Sequence, residues 1–162
     1  MNTGDLLFEI NSLLPSVAMP CNSDLTFHKG NCLECEYLRK DLEEFRDSFN
    51  VEDVIRCLCN EISLLSAKTW RWILPHYLRF CLTPEAEYSR TETEFLVYSL
   101  APEPEFLEDA IVRLSSLSQP QLHVLIHFLQ WCLMSTYWED YFEKDILLAI
   151  EFLNSTIAKR SN

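Results

Sequence analysis

Glycine is almost absent from this sequence, with only Gly4 and Gly30 among 162 residues. Phosphate-binding loops and dinucleotide-binding turns need several glycines close together, because the backbone must approach the phosphates closely. The glycine count therefore excludes these nucleotide-binding motifs. Basic residues are also few: 13 Lys and Arg stand against 25 Asp and Glu, which gives a formal net charge of −12. Because this charge repels a phosphate backbone, we expect no direct binding of nucleic acid.

Long apolar runs are missing as well. The strongly apolar stretches, such as the one from Val124 to Tyr137, reach about a dozen residues, whereas a membrane-spanning helix needs about 20. The first ten residues carry Asp5 and Glu9 but no Lys or Arg, which is untypical of a signal peptide. The seven cysteines are an odd number, which disfavours a complete disulfide framework. We therefore expect a cytoplasmic protein with reduced thiols and no membrane contact.

Apolar residues, by contrast, are abundant: 48% of the chain is hydrophobic and 12% is aromatic, which is typical of a globular protein. The length fits one domain over 1–162. The apolar residues recur at three- and four-residue spacing between prolines and capping residues, a pattern that predicts helices. No segment alternates apolar and polar residues as a strand does. The sequence therefore predicts an all-α domain of about seven or eight short helices in an orthogonal bundle.

The prolines and capping residues also predict where the helices begin and end. The first helix is capped by Thr3 and ends before Pro15. The loop that follows over 16–31 has about 15 residues, which is long for a compact domain and invites a functional explanation. Later helices are predicted over 33–48, 50–65, 67–82, 91–100, 104–114, 120–135 and 140–158, with the last few residues frayed. Capping boxes are predicted at Asn50/Asp53, Thr91/Glu94 and Ser118/Gln121, and a kink or break at Pro75.

One histidine and two cysteines lie within eight residues of each other, at His28, Cys32 and Cys35. Imidazole and thiolate are the ligands that zinc prefers. A tetrahedral site needs a fourth ligand, for which the candidates are Cys21, Cys57, Cys59 and His76. Alternatively, the two thiols pack at the start of the second helix, where the helix dipole lowers the thiol pKa, while His28 hydrogen-bonds within the loop. A redox role of the two cysteines is the third hypothesis. The sequence therefore predicts that the protein has no cofactor, and a bound zinc ion is the alternative hypothesis.

A second histidine pair, His123 and His127, has the four-residue spacing of a zinc-binding helix. A metalloprotease needs a glutamate directly after the first histidine, and Val124 lies there. We therefore expect these histidines to flank an apolar stripe. With seven Cys and four His in the chain, some Cys–His pairing is always arguable and so indicates little. A Gly-x-Ser-x-Gly motif is absent from the sequence, and we expect no enzymatic activity.

The segment 85–109 carries eight acidic residues and one base, Arg90. Such a segment is either a solvated face or a docking surface for a basic protein, which an acidic patch attracts by mimicking phosphates. Aromatic residues among the acids would serve as apolar anchors. The predicted partner-binding residues are Glu85, Glu87, Glu92, Glu94, Glu103, Glu105, Glu108 and Asp109, with Phe95, Tyr98 and Phe106.

Three elements of the sequence resemble a family of small bacterial all-helical proteins of unassigned function. They are His28 followed by Cys32-Leu-Glu-Cys35, Leu74-Pro-His-Tyr-Leu78 within the segment 64–79, and Leu117-Ser-Gln-Pro-Gln121. The resemblance extends over about 24–153 and implies a bacterial cytoplasmic protein without a known activity. Small acidic helical proteins of this kind are similar to immunity proteins and antitoxins, an analogy at the level of fold.

The sequence thus favours an acidic interaction module, monomeric or homodimeric, that binds a basic protein. An immunity protein or antitoxin that inhibits a nucleic-acid-directed toxin by direct binding is the specific form of this hypothesis. The alternative is a metal-stabilised accessory protein that uses His28, Cys32 and Cys35 to hold zinc. A Cys-dependent enzyme is the least favoured reading.

Overall fold

Helices account for the regular secondary structure throughout the described part of the chain. The structure is a computed structural model that describes residues 2–160, without the side chains of Cys59 and Asn60. Its α-helices are α1 (Thr3–Leu13), α2 (Leu33–Glu43), α3 (Val51–Leu58), α4 (Ala67–Cys81), α5 (Pro84–Ser89), α6 (Thr91–Leu100), α7 (Leu107–Arg113), α8 (Gln119–Cys132) and α9 (Thr136–Arg160). Four 3₁₀ turns lie at Asn22–Asp24, Cys59–Leu64, Pro104–Phe106 and Leu114–Ser116. The predicted all-α fold is confirmed. The predicted fraying of the last few residues lies partly outside the described residues, which end at 160.

The cap of α1 lies one residue earlier than predicted. Asn2 is the N-cap and forms a capping box with Asp5, whose backbone N–H donates to Asn2 Oδ1 at 2.9 Å. The prediction of a Thr3 cap is therefore wrong, because the amide of Asn2 already satisfies the free N–H groups of the first turn. The capping box of Ser118 and Gln121 at the start of α8 is confirmed.

Two predicted helices are shorter than the apolar pattern indicated. Helix α2 ends at Glu43 instead of 48, and Arg46, just beyond its end, donates to the carbonyl of Pro20 at 2.9 Å. Helix α3 begins after Asn50, whose side chain accepts from the N–H of Asp53 at 3.3 Å. It ends at Leu58, and its predicted continuation to 65 is a 3₁₀ turn. Period-three and period-four spacings are difficult to separate over one or two turns, so the sequence did not distinguish the two helix types.

Pro75 does not divide α4, which runs unbroken from Ala67 to Cys81. The helix buries ten side chains, among them Trp70, Tyr77 and Pro75 itself. A proline inside a helix costs about 3 kcal/mol, and one fully buried large apolar side chain contributes about 1.5–3 kcal/mol. Packing of α4 therefore outweighs the hydrogen bond that Pro75 removes, and the prediction of a break there is wrong.

Arg90 separates two helices where the sequence predicted one. It ends α5, which was not predicted, and begins α6 with a left-handed backbone at φ 62°. Thr91 is the first residue of α6 and not its cap, and its hydroxyl donates to the carbonyl of Ser89 at 3.3 Å. The predicted Thr91/Glu94 capping box is therefore wrong. A single left-handed residue thus joins α5 to α6 without a longer loop, a conformation that is uncommon for residues other than glycine, asparagine and aspartate.

The later helix bounds also differ from the prediction. The helix predicted over 104–114 is a 3₁₀ turn followed by α7 and a second 3₁₀ turn. Helix α8 ends at Cys132, and α9 begins at Thr136 instead of 140. The earlier start buries Trp138, whose ring lies 5.1 Å from that of Phe142. None of the helices within residues 2–160 is both long and apolar enough to cross a bilayer.

One hydrophobic cluster joins buried residues from each of the nine helices found within residues 2–160. Helix α8 packs between α1 and α9, and α4 contacts α1, α3, α5 and α7. Trp70, Tyr77 and Phe128 are the largest fully buried side chains. The polar side-chain atoms of Trp70 and Tyr77 are hydrogen-bonded. Trp70 Nε1 donates to the carbonyl of Ile62 at 3.1 Å, and the Tyr77 hydroxyl donates to the carbonyl of Glu92 at 2.9 Å.

The long loop over 16–31 is packed onto the start of α4. Leu25 and Thr26 are buried, and Thr26 forms an isolated antiparallel bridge with Leu65. The N–H of Phe27 donates to the carbonyl of Leu64 at 2.7 Å, and the N–H of Ser66 donates to that of Leu25 at 3.2 Å. These bonds hold the second half of the loop, including His28, in one place against the bundle.

Candidate functional site

The three predicted zinc ligands lie together. The ligand atoms of His28, Cys32 and Cys35 are all within 4.8 Å of one another. His28 Nδ1 lies 3.6 Å from Cys35 Sγ, and Cys32 is the N-cap of α2, where its Sγ accepts from the N–H of Cys35 at 3.4 Å. The start of α2 thus supplies the two thiols and the anchored loop supplies the imidazole. We call these three residues the His-Cys-Cys cluster.

The backbone of His28 is held by contacts on α2. Arg39 donates to the hydroxyl of Thr26 at 2.6 Å and to the carbonyl of His28 at 3.3 Å. The ring of Phe27 meets the imidazole of His28 edge-on, with centroids 5.2 Å apart. The imidazole is therefore oriented before any ligand binds, as a preformed metal site requires.

Burial decides the protonation of Cys35. Removal from water raises the pKa of its thiol, and the hydrogen bond with Cys32 raises it further, because a thiolate is poorly solvated in a protein interior. The alternative expectation, that the helix dipole lowers the thiol pKa here, is therefore wrong for Cys35. Its thiol is therefore expected to be a weaker nucleophile than an exposed cysteine.

A fourth ligand does not join the cluster from the side chains that the structure describes. Of the candidates, Cys21 Sγ lies 3.4 Å from the hydroxyl of Ser23, and the His76 ring packs 5.1 Å from that of Phe49. The side chain of Cys59 lies outside the described residues. A zinc ion held by these three ligands would have one coordination position left for water or another group.

The other histidine pair has separate partners. His123 Nδ1 pairs with the carbonyl of Gln119 at 2.9 Å, and His127 Nδ1 lies 2.8 Å from the carboxylate of Glu9 on α1. His127 therefore joins α8 to α1, which is a structural task.

The acidic segment is distributed over several elements. Glu85 and Glu87 lie on α5, Glu92, Glu94, Phe95 and Tyr98 on α6, Glu103, Glu105 and Phe106 at the 3₁₀ turn, and Glu108 and Asp109 on α7.

Some of these acids are engaged within the chain. Glu85 pairs with Arg56 at 2.7 Å, and the carboxylate of Glu92 accepts from the hydroxyl of Ser89 at 2.9 Å. Glu87 lines a separate depression together with Arg90. Arg90, the basic residue of the segment, also has a partner within the chain. Its guanidinium lies 3.8 Å from the centre of the Tyr137 ring. Among the described residues, the acids at 103–109 form no ion pair within 4.0 Å, although the charge of Asp109 acts on Arg113 of α7.

A cavity of about 520 Å³ opens beside this part of the segment. Tyr98, Glu103, Phe106 and Asp109 line it, and His28 of the His-Cys-Cys cluster lies on its wall. Tyr98 and Phe106 are 48% and 51% exposed, so both rings present apolar surface to solvent. Phe95 is half-buried. The structure thus brings four of the eleven predicted partner-binding residues to one cavity.

Sequence reasoning missed Arg113, the most unusual residue of this cavity. It ends α7 with only 7% of its surface exposed, and its guanidinium lies 5.8 Å from the centre of the Phe27 ring. Burial lowers the pKa of the guanidinium, and the nearby Asp109 opposes the shift, but an arginine stays charged in a protein. A signal was present in the sequence: Arg113 lies three residues after Ala110 and four before Leu117, on an apolar stripe.

The protein is thus an all-α bundle with a His-Cys-Cys cluster and a cavity that meet at His28. A model of a family of unknown function (DUF6714) matches residues 38–142. Because this match covers more than half of the chain, the chain belongs to that family. The matched region contains the acidic segment, Arg113 and the element 74–78, and it begins after Cys35. Comparison with curated proteins and with solved structures gave no match.

Proposed function

We propose that this protein is an acidic interaction module that binds a basic protein through a surface around the cavity. This acidic docking surface consists of Tyr98, Glu103, Glu105, Phe106, Glu108 and Asp109. The observation that supports it is the combination of two half-exposed aromatic rings with four acids. Within residues 2–160, none of these four acids has a basic group within 4.0 Å.

Each part of this surface has a physical role in docking. The four acids attract a basic partner and orient its approach, an effect that salt weakens. The rings of Tyr98 and Phe106, with the exposed Val112 of α7, provide apolar area of the kind that carries binding energy at interfaces. Glu85, Glu87, Glu92, Glu94 and Phe95 lie at the periphery of the surface under this proposal, because several of them already have partners in the chain.

The specific form of the proposal is a bacterial cytoplasmic immunity protein or antitoxin, acting as a monomer or homodimer. Its acids replace the phosphates in the cleft of a nucleic-acid-directed toxin and so block the substrate. This form is supported by analogy with small acidic helical inhibitors.

The test begins by identifying what co-purifies with the protein from its native host and then measures affinity as a function of salt. The triple variant Glu103→Lys, Glu105→Lys, Glu108→Lys is expected to weaken binding at least tenfold, because like charges then face each other. The matched control is Glu36→Lys, Glu44→Lys, Glu151→Lys, which changes the net charge equally at exposed positions elsewhere. The acidic docking surface would be ruled out if the affinity for the partner changed neither with salt nor in the first triple variant. It would also be ruled out if the affinity fell equally in the control variant.

A second candidate function is that of a zinc-stabilised accessory protein. It is supported by the convergence of His28, Cys32 and Cys35, whose ligand atoms are within 4.8 Å of one another. These residues would hold the ion, and zinc would tie the loop to α2 and so stabilise the fold.

Metal analysis of protein purified under reducing conditions tests this candidate, together with the absorption of the cobalt(II) form. We expect one zinc per chain, and loss of it in Cys32→Ser and Cys35→Ser. Cys21→Ser is the matched control, because Cys21 is exposed and outside the cluster. The site would be excluded if the wild type bound no zinc when zinc is supplied. It would also be excluded if both cluster variants retained zinc.

A further inference from the structure

Arg113 lines the cavity as a largely buried charge, and the acid whose charge acts on it, Asp109, forms no ion pair with it within 4.0 Å. Only 7% of the surface of Arg113 is exposed. Among residues 2–160, apart from the undescribed side chains of Cys59 and Asn60, no carboxylate lies within 4.0 Å of its guanidinium and no acceptor takes a hydrogen bond from it. Its guanidinium lies 5.8 Å from the centre of the Phe27 ring.

Such an arrangement is costly and therefore informative. Buried charges in proteins are normally paired or hydrogen-bonded, because leaving water is otherwise strongly unfavourable. Burial lowers the pKa of this guanidinium, which reflects the same unfavourable transfer. An anionic group that enters the cavity would supply a partner within hydrogen-bond distance of the guanidinium, which Asp109 does not. A planar carboxylate matches the fork of N–H groups that arginine presents.

The rest of the cavity restricts what kind of anion fits. Glu103 and Asp109 line the same cavity, and their charges repel a ligand that is only negative. They attract a ligand that carries an ammonium group as well. Tyr98 and Phe106 form an apolar wall, and the volume of about 520 Å³ lies in the range of small-molecule sites.

From these observations we propose that the cavity binds a small zwitterion with an apolar body, such as an α-amino acid with an aromatic or aliphatic side chain. The carboxylate of the ligand pairs with Arg113, its ammonium group faces Glu103 and Asp109, and its side chain contacts Tyr98 and Phe106. This inference does not depend on the docking proposal, although the two share part of the cavity rim.

Three related probes separate the charge requirements: L-phenylalanine, 3-phenylpropionate, which lacks the ammonium group, and phenethylamine, which lacks the carboxylate. Binding is followed by NMR chemical-shift titration at constant salt, with L-leucine and L-methionine as further amino acids. We expect saturable binding of at least one amino acid. For phenylalanine, removal of either charged group should weaken binding at least tenfold.

Variants of the protein test the role of Arg113. Arg113→Met keeps the length of the side chain without the charge and is expected to weaken amino-acid binding at least tenfold, whereas Arg113→Lys should weaken it less. Arg71→Met, at an arginine outside the cavity, is the matched control and should bind normally. If Arg113→Met does not fold, Ala101→Phe fills the cavity from its wall and should abolish binding in a folded protein.

Several results would overturn the proposal. They are the absence of saturable binding for all three amino acids, equal affinity for phenylalanine and either single-charge probe, and unchanged affinity in both Arg113→Met and Ala101→Phe. The double variant Glu105→Lys, Glu108→Lys distinguishes this site from the docking surface. It changes two acids that do not line the cavity, so it should impair docking of a basic protein and leave amino-acid binding unchanged.

Discussion

The carboxylate of Asp24 lies 2.6 Å from the ammonium group of Lys68, a residue that follows it by 44 positions on α4. Its second oxygen lies 3.0 Å from Lys29 in its own loop. The backbone carbonyl of Asp24 also accepts hydrogen bonds from the hydroxyls of Ser66 and Thr69 at the start of α4. Asp24 therefore fastens the long loop, and with it His28, to the bundle.

The first prediction concerns Asp24 and pH. Its hydrogen bonds from Lys68 and then Lys29 hold the pKa of the carboxyl well below its ordinary value. A depressed carboxyl pKa contributes stability above the ordinary pKa, about 4, and that stability is lost as the pH falls below it. We therefore expect the urea midpoint of the wild type to fall between about pH 5 and pH 2 more steeply than that of Asp24→Asn.

The matched control for this measurement is Asp47→Asn, at an exposed carboxylate. It should follow the wild-type curve more closely than Asp24→Asn does. Because the ion pairs of Asp24 are near the surface, high salt should reduce the difference between Asp24→Asn and the wild type. Parallel curves for Asp24→Asn and the wild type at low salt would contradict the anchoring role of Asp24.

Apolar periodicity predicted most of the helices, because each helix must bury one stripe of side chains. Capping residues predicted the start of α8 for a similarly local reason: Ser118 and Gln121 satisfy N–H groups within three residues of each other. Where two local solutions competed, as at Asn2 and Thr3, the sequence did not decide between them.

Features that depend on distant contacts were missed. The loop over 16–31 is ordered by Lys68 and Ser66, which no local pattern connects to Asp24. Arg90 adopts a left-handed backbone that its own residue type disfavours, because two helices pack on either side of it. The convergence of His28 with Cys32 and Cys35 was anticipated from spacing alone, since the three residues are close in sequence. The cavity at Arg113 is lined by residues of the loop, α6 and α7. Because only the fold brings these elements together, the sequence could not predict this cavity.

The second prediction concerns the core. Phe128 of α8 is fully buried and its ring lies 5.9 Å from that of Trp131. Phe128→Ala is expected to lower the free energy of unfolding by about 3–5 kcal/mol, because it leaves a cavity in a closely packed interior. Phe8→Ala is the control, since Phe8 is 75% exposed, and it should change stability by less than about 0.5 kcal/mol. Chemical denaturation followed by far-UV circular dichroism measures both, and equal effects would contradict the assigned position of α8.

The third prediction concerns the reactivity of the thiols. Burial raises the pKa of the Cys81 thiol to about 12 and also raises that of Cys132, so both remain protonated and shielded. In the native protein, iodoacetamide is expected to modify the exposed Cys21 at least tenfold faster than either of them. Mass spectrometry of peptides after timed alkylation gives the individual rates. Fast native labelling of Cys81 would contradict its place in the core, and labelling in urea controls for intrinsic reactivity.

The fourth prediction concerns zinc and pH, and it rests on the zinc candidate. Because burial raises the pKa of the Cys35 thiol, this thiol binds metal only by releasing a proton. Release of this proton makes zinc affinity rise by about tenfold per pH unit between about pH 7 and pH 8. Competition with a chromophoric chelator over this range measures the slope. Cys21→Ser, outside the cluster, should leave this slope unchanged. An affinity that does not vary with pH would mean that thiolates are not the ligands.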